Sequence, residues 1–402
     1  MSLNPMRRPL TPSARSLAAS ALALSCMLVL LACGGAATAV VGGSPTATRP
    51  GGTAGATATG QVNKATATPS KPTATPGPSL SQLTVYVGTN NDAFFGVNAS
   101  NGHQRWKATI TGAANKPLTT NGIVYVTTQN GYVYALNAGN ELWHKQASGG
   151  INGRPAVVNG SIYVATDTGG IYALDAGNGS QKWMYPTGST INASVDAHSD
   201  GTLYVGSSDG YLYSLTTSGA LRWRYQTGAP IEFTSPTEAN GVVYTGADNG
   251  KMTALSTSNG SVKWSYQAGG QIFGKPALDN GTLYFGASDH YLYAINASNG
   301  HFIWKHQTGD SVNGTPAVSN GLVYVASGDN TLYALHTSNG STAWKVAKSG
   351  GFGLGRGWPV ITQGIVFIGA GDGNLYAFNA SNGGKVWSFA AGDSVSSPTI
   401  GQ

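Results

Sequence analysis

From residue 82 onward the chain is built around a tryptophan that recurs about every 40 residues. The successive spacings are 37, 40, 40, 41, 40, 40 and 43 residues. Short runs rich in Val, Leu and Tyr lie between these tryptophans and are joined by Asn-Gly and Asp-Gly pairs, which favour hairpin turns. A period near 40 with several short strands per unit is typical of a β-propeller. The eight tryptophans are Trp106, Trp143, Trp183, Trp223, Trp264, Trp304, Trp344 and Trp387.

The two ends of the repeat region predict how the ring closes. Seven units begin with a short strand that ends in an Asn-Gly or Asp-Gly type turn, but the first unit, which starts near Leu83, lacks it. The segment Ser397–Gln402 has the pattern of that missing strand. We therefore predict an all-β fold over residues 82–402. It is an eight-bladed propeller with four-stranded antiparallel blades, closed by the C-terminal strand so that no blade edge is left open.

The N-terminus has the features of a lipoprotein signal peptide. A basic segment precedes an apolar run from Leu17 to Ala32, which is short for a membrane span but suits a secretory signal over residues 1–32. The sequence Leu30–Cys33 resembles the lipobox of bacterial lipoproteins, which implies cleavage before Cys33 and a lipid on its thiol. An ordinary secreted protein with an incidental cysteine is the alternative. The basic residues are Arg7, Arg8 and Arg15.

Residues 33–81 read as a linker between the lipid-attachment cysteine and the ring. They are rich in Thr, Ala, Pro and Gly and contain few large apolar side chains. Such a segment cannot bury enough apolar surface to fold alone, so we predict a disordered tether.

The charge distribution argues against nucleic acid as a partner. The net charge of the whole chain is +6, but six of its basic residues precede residue 82. Residues 82–402 contain 16 basic and 16 acidic side chains. A nucleic-acid binder normally carries an excess of clustered basic residues.

The repeats also resemble a known family. Tyr172–Trp183, "YALDAGNGSQKW", matches the tryptophan-docking motif of the quinoprotein propellers, Ala-x-Asp-x-x-x-Gly-x-x-x-Trp. The resemblance covers residues 83–402 and implies an eight-bladed ring. That family includes pyrroloquinoline-quinone dehydrogenases and non-enzymatic relatives such as the propeller lipoprotein of the outer-membrane β-barrel assembly machinery. Asp175 completes the motif in this repeat, whereas other repeats have Asn296, His336 and Asn379 at that position.

The dehydrogenases of this family hold calcium with carboxylate and amide ligands and use an aspartate as base. Many also have a disulfide of adjacent cysteines beside the quinone. This chain has no cysteine after Cys33, contains three glutamates, and places most of its aspartates in turns. We therefore predict no catalytic residues, no metal site and no cofactor; pyrroloquinoline quinone with calcium applies only under the dehydrogenase alternative.

The residues next to a repeated proline predict a ligand site. This proline opens the innermost strand of each blade, so the preceding residue should face the central channel. Lys116, Arg154 and Lys275 hold that position in three blades and Trp358 in the last, with Arg356 two residues upstream of Trp358. We predict a partly basic channel mouth that holds an anion or a planar acid; scattered, solvated side chains are the alternative.

The fourth blade departs from this proline pattern. Counted back from the glycine of the following turn, Asp196 falls where the other blades have proline, and His198 and Asp200 follow on alternate positions. The interpretation stays open between a drifted repeat with a longer loop and a site for a polar ligand or a metal.

Together these features predict a membrane-anchored, extracytoplasmic propeller at the bacterial cell envelope. It would act as a non-catalytic scaffold for other envelope or extracellular proteins, with a role in envelope protein assembly implied by the lipoprotein relative. A quinone-dependent dehydrogenase and a carbohydrate-binding propeller are the two alternatives.

Overall fold

The computed structural model describes residues 77–352 and 357–402, which form eight four-stranded antiparallel sheets. A single 3-10 turn, Leu80–Gln82, precedes the first strand. In the described residues there is no helix with the length and apolarity that crossing a membrane requires. The predicted signal peptide, Cys33, most of the predicted linker and Arg356 lie outside the described residues.

The strands follow one another blade by blade. Blade 1 contains β1 (Thr84–Gly88), β2 (Ala93–Asn98) and β3 (Gln104–Thr109); blade 2 contains β4 (Leu118–Thr120), β5 (Ile123–Thr127), β6 (Tyr132–Asn137) and β7 (Asn140–Gln146). Blade 3 contains β8 (Ala156–Val158), β9 (Ser161–Ala165), β10 (Gly170–Asp175) and β11 (Gln181–Pro186); blade 4 contains β12 (Asp196–Ala197), β13 (Thr202–Gly206), β14 (Tyr211–Thr216) and β15 (Leu221–Gln226). Blade 5 contains β16 (Thr237–Ala239), β17 (Val242–Gly246), β18 (Lys251–Ser256) and β19 (Val262–Gln267); blade 6 contains β20 (Ala277–Asp279), β21 (Thr282–Gly286), β22 (Tyr291–Asn296) and β23 (Phe302–Gln307). Blade 7 contains β24 (Ala317–Ser319), β25 (Leu322–Ala326), β26 (Thr331–His336) and β27 (Thr342–Ala347); blade 8 contains β28 (Val360–Thr362), β29 (Ile365–Gly369), β30 (Asn374–Asn379) and β31 (Lys385–Ala390), and β32 (Thr399–Gly401) ends the chain.

The predicted ring closure is confirmed by β32, which is the innermost strand of blade 1. It pairs antiparallel with β1, so that Gly401 lies opposite Thr84 and Thr399 opposite Tyr86. The Tyr86 hydroxyl also donates a hydrogen bond to the carbonyl of Gln402 at 3.2 Å. Because blade 1 is made of both ends of the repeat region, its neighbours meet a complete sheet on either side.

The core lies between the blades. The second and third strands of each blade are buried almost throughout, as β21 and β22 illustrate. One cluster joins Tyr244 and Met252 of blade 5 to Leu283 and Phe285 of blade 6. Strands covered on both faces need apolar side chains at successive positions, which explains why these strands show no strict alternation of apolar and polar residues.

Each periodic tryptophan ties its blade to the next one. The Trp264 indole donates a hydrogen bond to the carbonyl of Ala297 at 2.9 Å, and Trp304 does the same to Thr337 at 2.8 Å. Across the closure of the ring, Trp387 donates to the carbonyl of Ala99 at 3.1 Å. The eight tryptophans are thus explained by packing between blades, as the repeat pattern predicts.

Small residues make room for these tryptophans on both sides. In six blades the tryptophan lies opposite an alanine of its own sheet, as Ala294 is opposite Trp304; blades 1 and 4 have Gly96 and Ser214 at that position. In the next blade the turn glycine lies against the indole: a Cβ added to Gly300 would fall 2.7 Å from Cε3 of Trp264. Gly300 also has a φ of +74°, so both its backbone conformation and its lack of a side chain are required.

The ring has two faces that differ in the loops they carry. The upper face carries the loops that lead into the innermost strands and the turns between the second and third strands. The lower face carries the turns between the first and second strands and between the third and fourth strands. Because antiparallel strands alternate in direction, β1 begins at the lower face, where Gln363 donates a side-chain hydrogen bond to the carbonyl of Pro78.

Four blades share an aspartate–tyrosine hydrogen bond in the upper turns, and each aspartate holds the start of a neighbouring loop or strand. Asp209 accepts a hydrogen bond from the Tyr213 hydroxyl at 2.7 Å and from the backbone of Gly188 at 2.9 Å. Burial and the bonded carboxylate raise the pKa of Tyr213 to about 12. The other pairs are Asp289–Tyr293, Asp329–Tyr333 and Asp372–Tyr376.

Blade 5 has a different turn that brings two carboxylates together. Asp248 donates its backbone N–H to the carbonyl of Pro230, the position at which Ser208 and Ser288 stand in the adjacent blades. Burial, followed by the nearby Glu232 carboxylate, raises the pKa of Asp248 to about 6 from its ordinary value of 3.8. At neutral pH Asp248 is still mostly ionised, and its charge destabilises the folded protein relative to the unfolded chain.

We expect Asp248→Ser to raise the free energy of unfolding at pH 7.5 by about 1 kcal/mol, allowing for solvent screening of this half-buried group. The folded protein binds the extra proton between about pH 4 and 6, so the stabilisation should vanish as the pH falls through that window. Thermal unfolding at pH 7.5 and pH 4 measures it. Asp279→Ser is the matched control, because that carboxylate accepts a hydrogen bond from the exposed Asn280 amide; equal effects of both changes would contradict the prediction.

Candidate site at the mouth of the central channel

A cavity of about 330 Å³ opens at the centre of the upper face. It is lined by residues that directly precede the innermost strands, together with residues from the turns between the second and third strands. Contacts between successive innermost strands, such as β4 with β8 and β20 with β24, show that these strands surround the channel. The lining is polar and apolar in nearly equal parts. Several asparagine and serine side chains supply the polar part, and the apolar part includes the aromatic rings of Phe233, Phe273 and Trp358.

Lys116, Arg154 and Trp358 all line this cavity. The Lys116 ammonium lies 4.9 Å from the centre of the Trp358 ring, a cation–π contact between blades 2 and 8. The backbone N–H of Arg154 donates to the Ser194 hydroxyl of the next blade, and that of Trp358 donates to Ser397. These bonds fix the residues before the innermost strands to one another around the ring.

Asp196 and Lys275 meet across the channel. The Lys275 ammonium lies 2.5 Å from a carboxylate oxygen of Asp196, although the two residues belong to blades 6 and 4. Burial would raise the pKa of Asp196, but Lys275 and His198 outweigh it and hold that pKa at about 2. Asp196 is therefore ionised at neutral pH and neutralises part of the charge of Lys275.

The prediction that Asp196 stands in the place of the repeated proline is wrong. Asp196 pairs with Tyr204 as Ala156 pairs with Tyr163, so it occupies the first position of the innermost strand, and Val195 takes the proline position. The turn after β12 contains one residue more than the corresponding turn of blade 3. The hydrogen bond from the backbone N–H of His198 to the carbonyl of Thr202 shows where this longer turn begins and ends. Counting back from the turn glycine therefore falls one residue short.

His198 and Glu238 extend this charged group. One ring nitrogen of His198 lies 2.9 Å from Asp196, and the other lies 3.2 Å from Glu238 of blade 5. The hydrogen bond to Asp196 raises the pKa of His198, burial opposes this, and Glu238 adds to the increase. Sequence reasoning missed Glu238; the one available indication was its place on an innermost strand in a chain with only three glutamates.

Positive charge dominates the mouth of the cavity. Within residues 77–352 and 357–402, no carboxylate lies within ion-pair distance of Lys116 or Arg154. Burial, and then repulsion from Arg154 and Lys275, lower the pKa of Lys116 to about 7. Burial also lowers the pKa of Lys275, although Asp196 opposes that change. Lys116 is thus a cation at pH values below about 7, and it has no ion-pair partner among the residues that the structure describes.

The described residues do not suit a calcium-bound quinone. Calcium is held by several oxygen ligands, usually including carboxylates. The carboxylates near this cavity, Asp196 and Glu238, already face Lys275 and His198. In the part of the chain that the structure describes, no group of three or more His, Cys, Asp or Glu side chains is arranged to hold a metal ion. A divalent cation would also be placed beside Lys116 and Arg154.

Solved structures share this architecture. BamB from Moraxella catarrhalis has a TM-score of 0.62 at 20% identity, over 70% of this chain and 87% of that one. The computationally designed Ika8 protein has a TM-score of 0.66 at 15% identity, over 74% and 93%. The quinohemoprotein alcohol dehydrogenase ADHIIG from Pseudomonas putida HK5 has a TM-score of 0.57 at 16% identity, over 69% and 66%. At these identities the likeness shows the fold alone.

Comparison of the sequence with known sequences and with family models identifies the family of the chain. No curated protein sequence matches the chain significantly. The family model described as outer membrane protein assembly factor BamB matches residues 52–192, 113–232, 187–274 and 267–392. These overlapping matches run through nearly the whole propeller, and they establish that the chain belongs to the outer membrane protein assembly factor BamB family.

Proposed function

We propose that this propeller is a non-catalytic scaffold that binds protein partners at the bacterial cell envelope, where a lipid on Cys33 anchors it. Membership of the BamB family supports a role in outer-membrane protein assembly.

The observation that carries the scaffold role is the outer rim of the ring. The outermost strands of six blades expose large apolar side chains, each more than 40% accessible. These strands also have one edge without a neighbouring strand in their sheet. Exposed apolar side chains on an open strand edge suit packing or strand pairing with another protein. The exposed residues are Leu142, Met184, Leu221, Val262, Phe302, Ile303 and Val386.

We expect a photocrosslinking amino acid at Leu142 or Phe302 to capture a discrete protein in the native envelope, identified by mass spectrometry. The same amino acid at Asn280, on the exposed turn between β20 and β21, is the control. Equal labelling from rim and control positions would contradict a rim interface.

Cys33→Ala should move the protein from the membrane fraction to the soluble envelope fraction, because it removes the thiol that would carry the lipid. Unchanged membrane association of this variant would contradict the proposed lipid anchor.

A further inference from the structure

The mouth of the channel holds more positive charge than the neighbouring protein groups neutralise. Lys275 shares Asp196 with His198, and the second contact of His198 is with Glu238. Lys116 and Arg154 remain without a carboxylate of their own in the described part of the chain. Asp196 is near enough to oppose the lowering of the Arg154 pKa by burial, but it forms no ion pair with Arg154. At pH values below the Lys116 pKa of about 7, two cations without an ion-pair partner thus line the cavity and favour a negatively charged ligand.

The walls of the cavity define what kind of anion it would take. Trp358 lies under the Lys116 ammonium, and on another part of the wall Phe233 and Phe273 form an edge-on pair with their ring centres 5.8 Å apart. Amides of Asn152 and Asn192 supply a polar rim, and the two are joined to each other by a hydrogen bond of 2.8 Å. The site therefore offers cationic, aromatic and amide groups together.

The size of the cavity limits the ligand to a small molecule. Its volume of about 330 Å³ lies at the lower end of the range for small-molecule sites. Such sites combine apolar walls with a few polar groups that orient the ligand. Inorganic anions would leave the aromatic walls unused, and a folded partner could not enter.

We infer that the channel mouth binds a small organic carboxylate with an aromatic or apolar body, its carboxylate held by Lys116 and Arg154 and its body against Trp358, Phe233 and Phe273. This binding site is additional to the scaffold role proposed above and does not depend on it. Arg154 supplies a planar pair of donors that matches a carboxylate, and Lys116 of the adjacent blade supplies a compact charge.

Calorimetric titration of the full-length protein with phenylacetate at pH 6 tests the inference. We expect a dissociation constant of about 0.1–1 mM for a ligand of this size. The neutral phenylacetamide and the cationic phenethylamine have nearly the same body and should bind at least tenfold more weakly. Phosphate should also bind at least tenfold more weakly than phenylacetate. Equal binding of the amide, or of phosphate, would overturn the inference, because it would remove the need for the charge or for the aromatic walls.

Variants locate the binding to these residues. Lys116→Met and Arg154→Gln should each weaken phenylacetate binding by tenfold or more, because each removes a charge-assisted contact. Lys263→Met, on the exposed face of β19, should leave binding unchanged. Lys116→Met should also keep the thermal midpoint of the wild type or raise it, since Arg154 and Lys275 repel the ammonium it removes. Wild-type affinity in both channel variants would overturn the inference.

The pH dependence gives a further readout that a purely structural role would not produce. The groups that face Lys116 across the cavity are Arg154 and Lys275, while Asp196 and His198 modulate Lys275. Since the pKa of Lys116 is about 7, its charge is present at pH 6 and largely lost at pH 8.5. Phenylacetate affinity should therefore fall over that interval in the wild type and stay nearly constant in Lys116→Met. The same pH profile in both proteins would contradict the assignment to Lys116.

Discussion

Replacing Asp196 with alanine is expected to lower the free energy of unfolding by about 3 kcal/mol at pH 7, because it leaves Lys275 without its counter-ion. Alanine fits the backbone at this position, since the same register position of other blades is occupied by Ala156, Ala277 and Ala317. The Asp196 side chain is only 12% exposed, so water replaces little of the lost interaction. Chemical denaturation at pH 7 measures the difference.

A second substitution separates the ion pair from simple loss of packing. Asp196→Ala together with Lys275→Met should recover most of the lost stability, because Lys275 is then no longer left as a buried charge without its counter-ion. Acid provides an independent check. The Asp196 pKa is held at about 2, below its ordinary value of 3.8, so its stabilisation exists above that ordinary value and disappears as the pH falls from about 4 to about 2. A double variant as unstable as Asp196→Ala would show that the pair is not the cause.

Trp264→Ala is expected to cost about 4 kcal/mol of unfolding free energy, the range for removing a large buried aromatic side chain. Trp264 is 9% exposed, contacts Gly300 in the next blade and donates its indole hydrogen bond to Ala297. Its loss removes packing and a hydrogen bond at the same boundary between blades 5 and 6. Denaturant unfolding followed by circular dichroism gives the value.

Trp106→Ala is the matched comparison and should cost about half as much. Trp106 is half-buried, and among the described residues its indole has no hydrogen-bond acceptor. Trp264→Phe, which keeps most of the apolar surface, should cost about 1–2 kcal/mol. Equal losses for Trp264→Ala and Trp106→Ala would mean that burial and docking at the next blade do not determine the contribution of these tryptophans.

The ring could be predicted because its determinants are local and repeated. Each blade carries its own turn glycine, its own tryptophan and a small residue opposite that tryptophan. The same short sequence pattern therefore occurs eight times. The missing strand of blade 1 was also predictable, since the two ends of the repeat region complete one another. Only one of the two roles of Gly300 could be predicted from the sequence. Its turn conformation follows from the sequence, but its contact with Trp264 becomes known only when the neighbouring blade is in place.

The channel mouth was predictable only in part, for a physical reason. Lys116 and Arg154 could be placed at the mouth because each precedes a strand whose position in the blade is fixed. The pairing of Lys275 with Asp196 joins residues 79 positions apart and depends on how wide the channel is. Sequence gives no measure of that width. A longer loop near Asp196 was one of the two open interpretations, and the structure shows it, but the sequence did not reveal that the extra residue shifts Asp196 by one position. Glu238 acquires its contact with His198 from the same cross-blade geometry.

The alternation of strand direction described above has a consequence for orientation. The chain reaches β1 at the lower face, whereas the charged cavity opens on the upper face. A dissolved ligand would reach Lys116 and Arg154 from the upper face, along the axis of the ring. A protein partner would instead meet the exposed side chains of the outer strands at the circumference. One ring could in this way receive a small molecule along its axis and a protein along its edge at the same time.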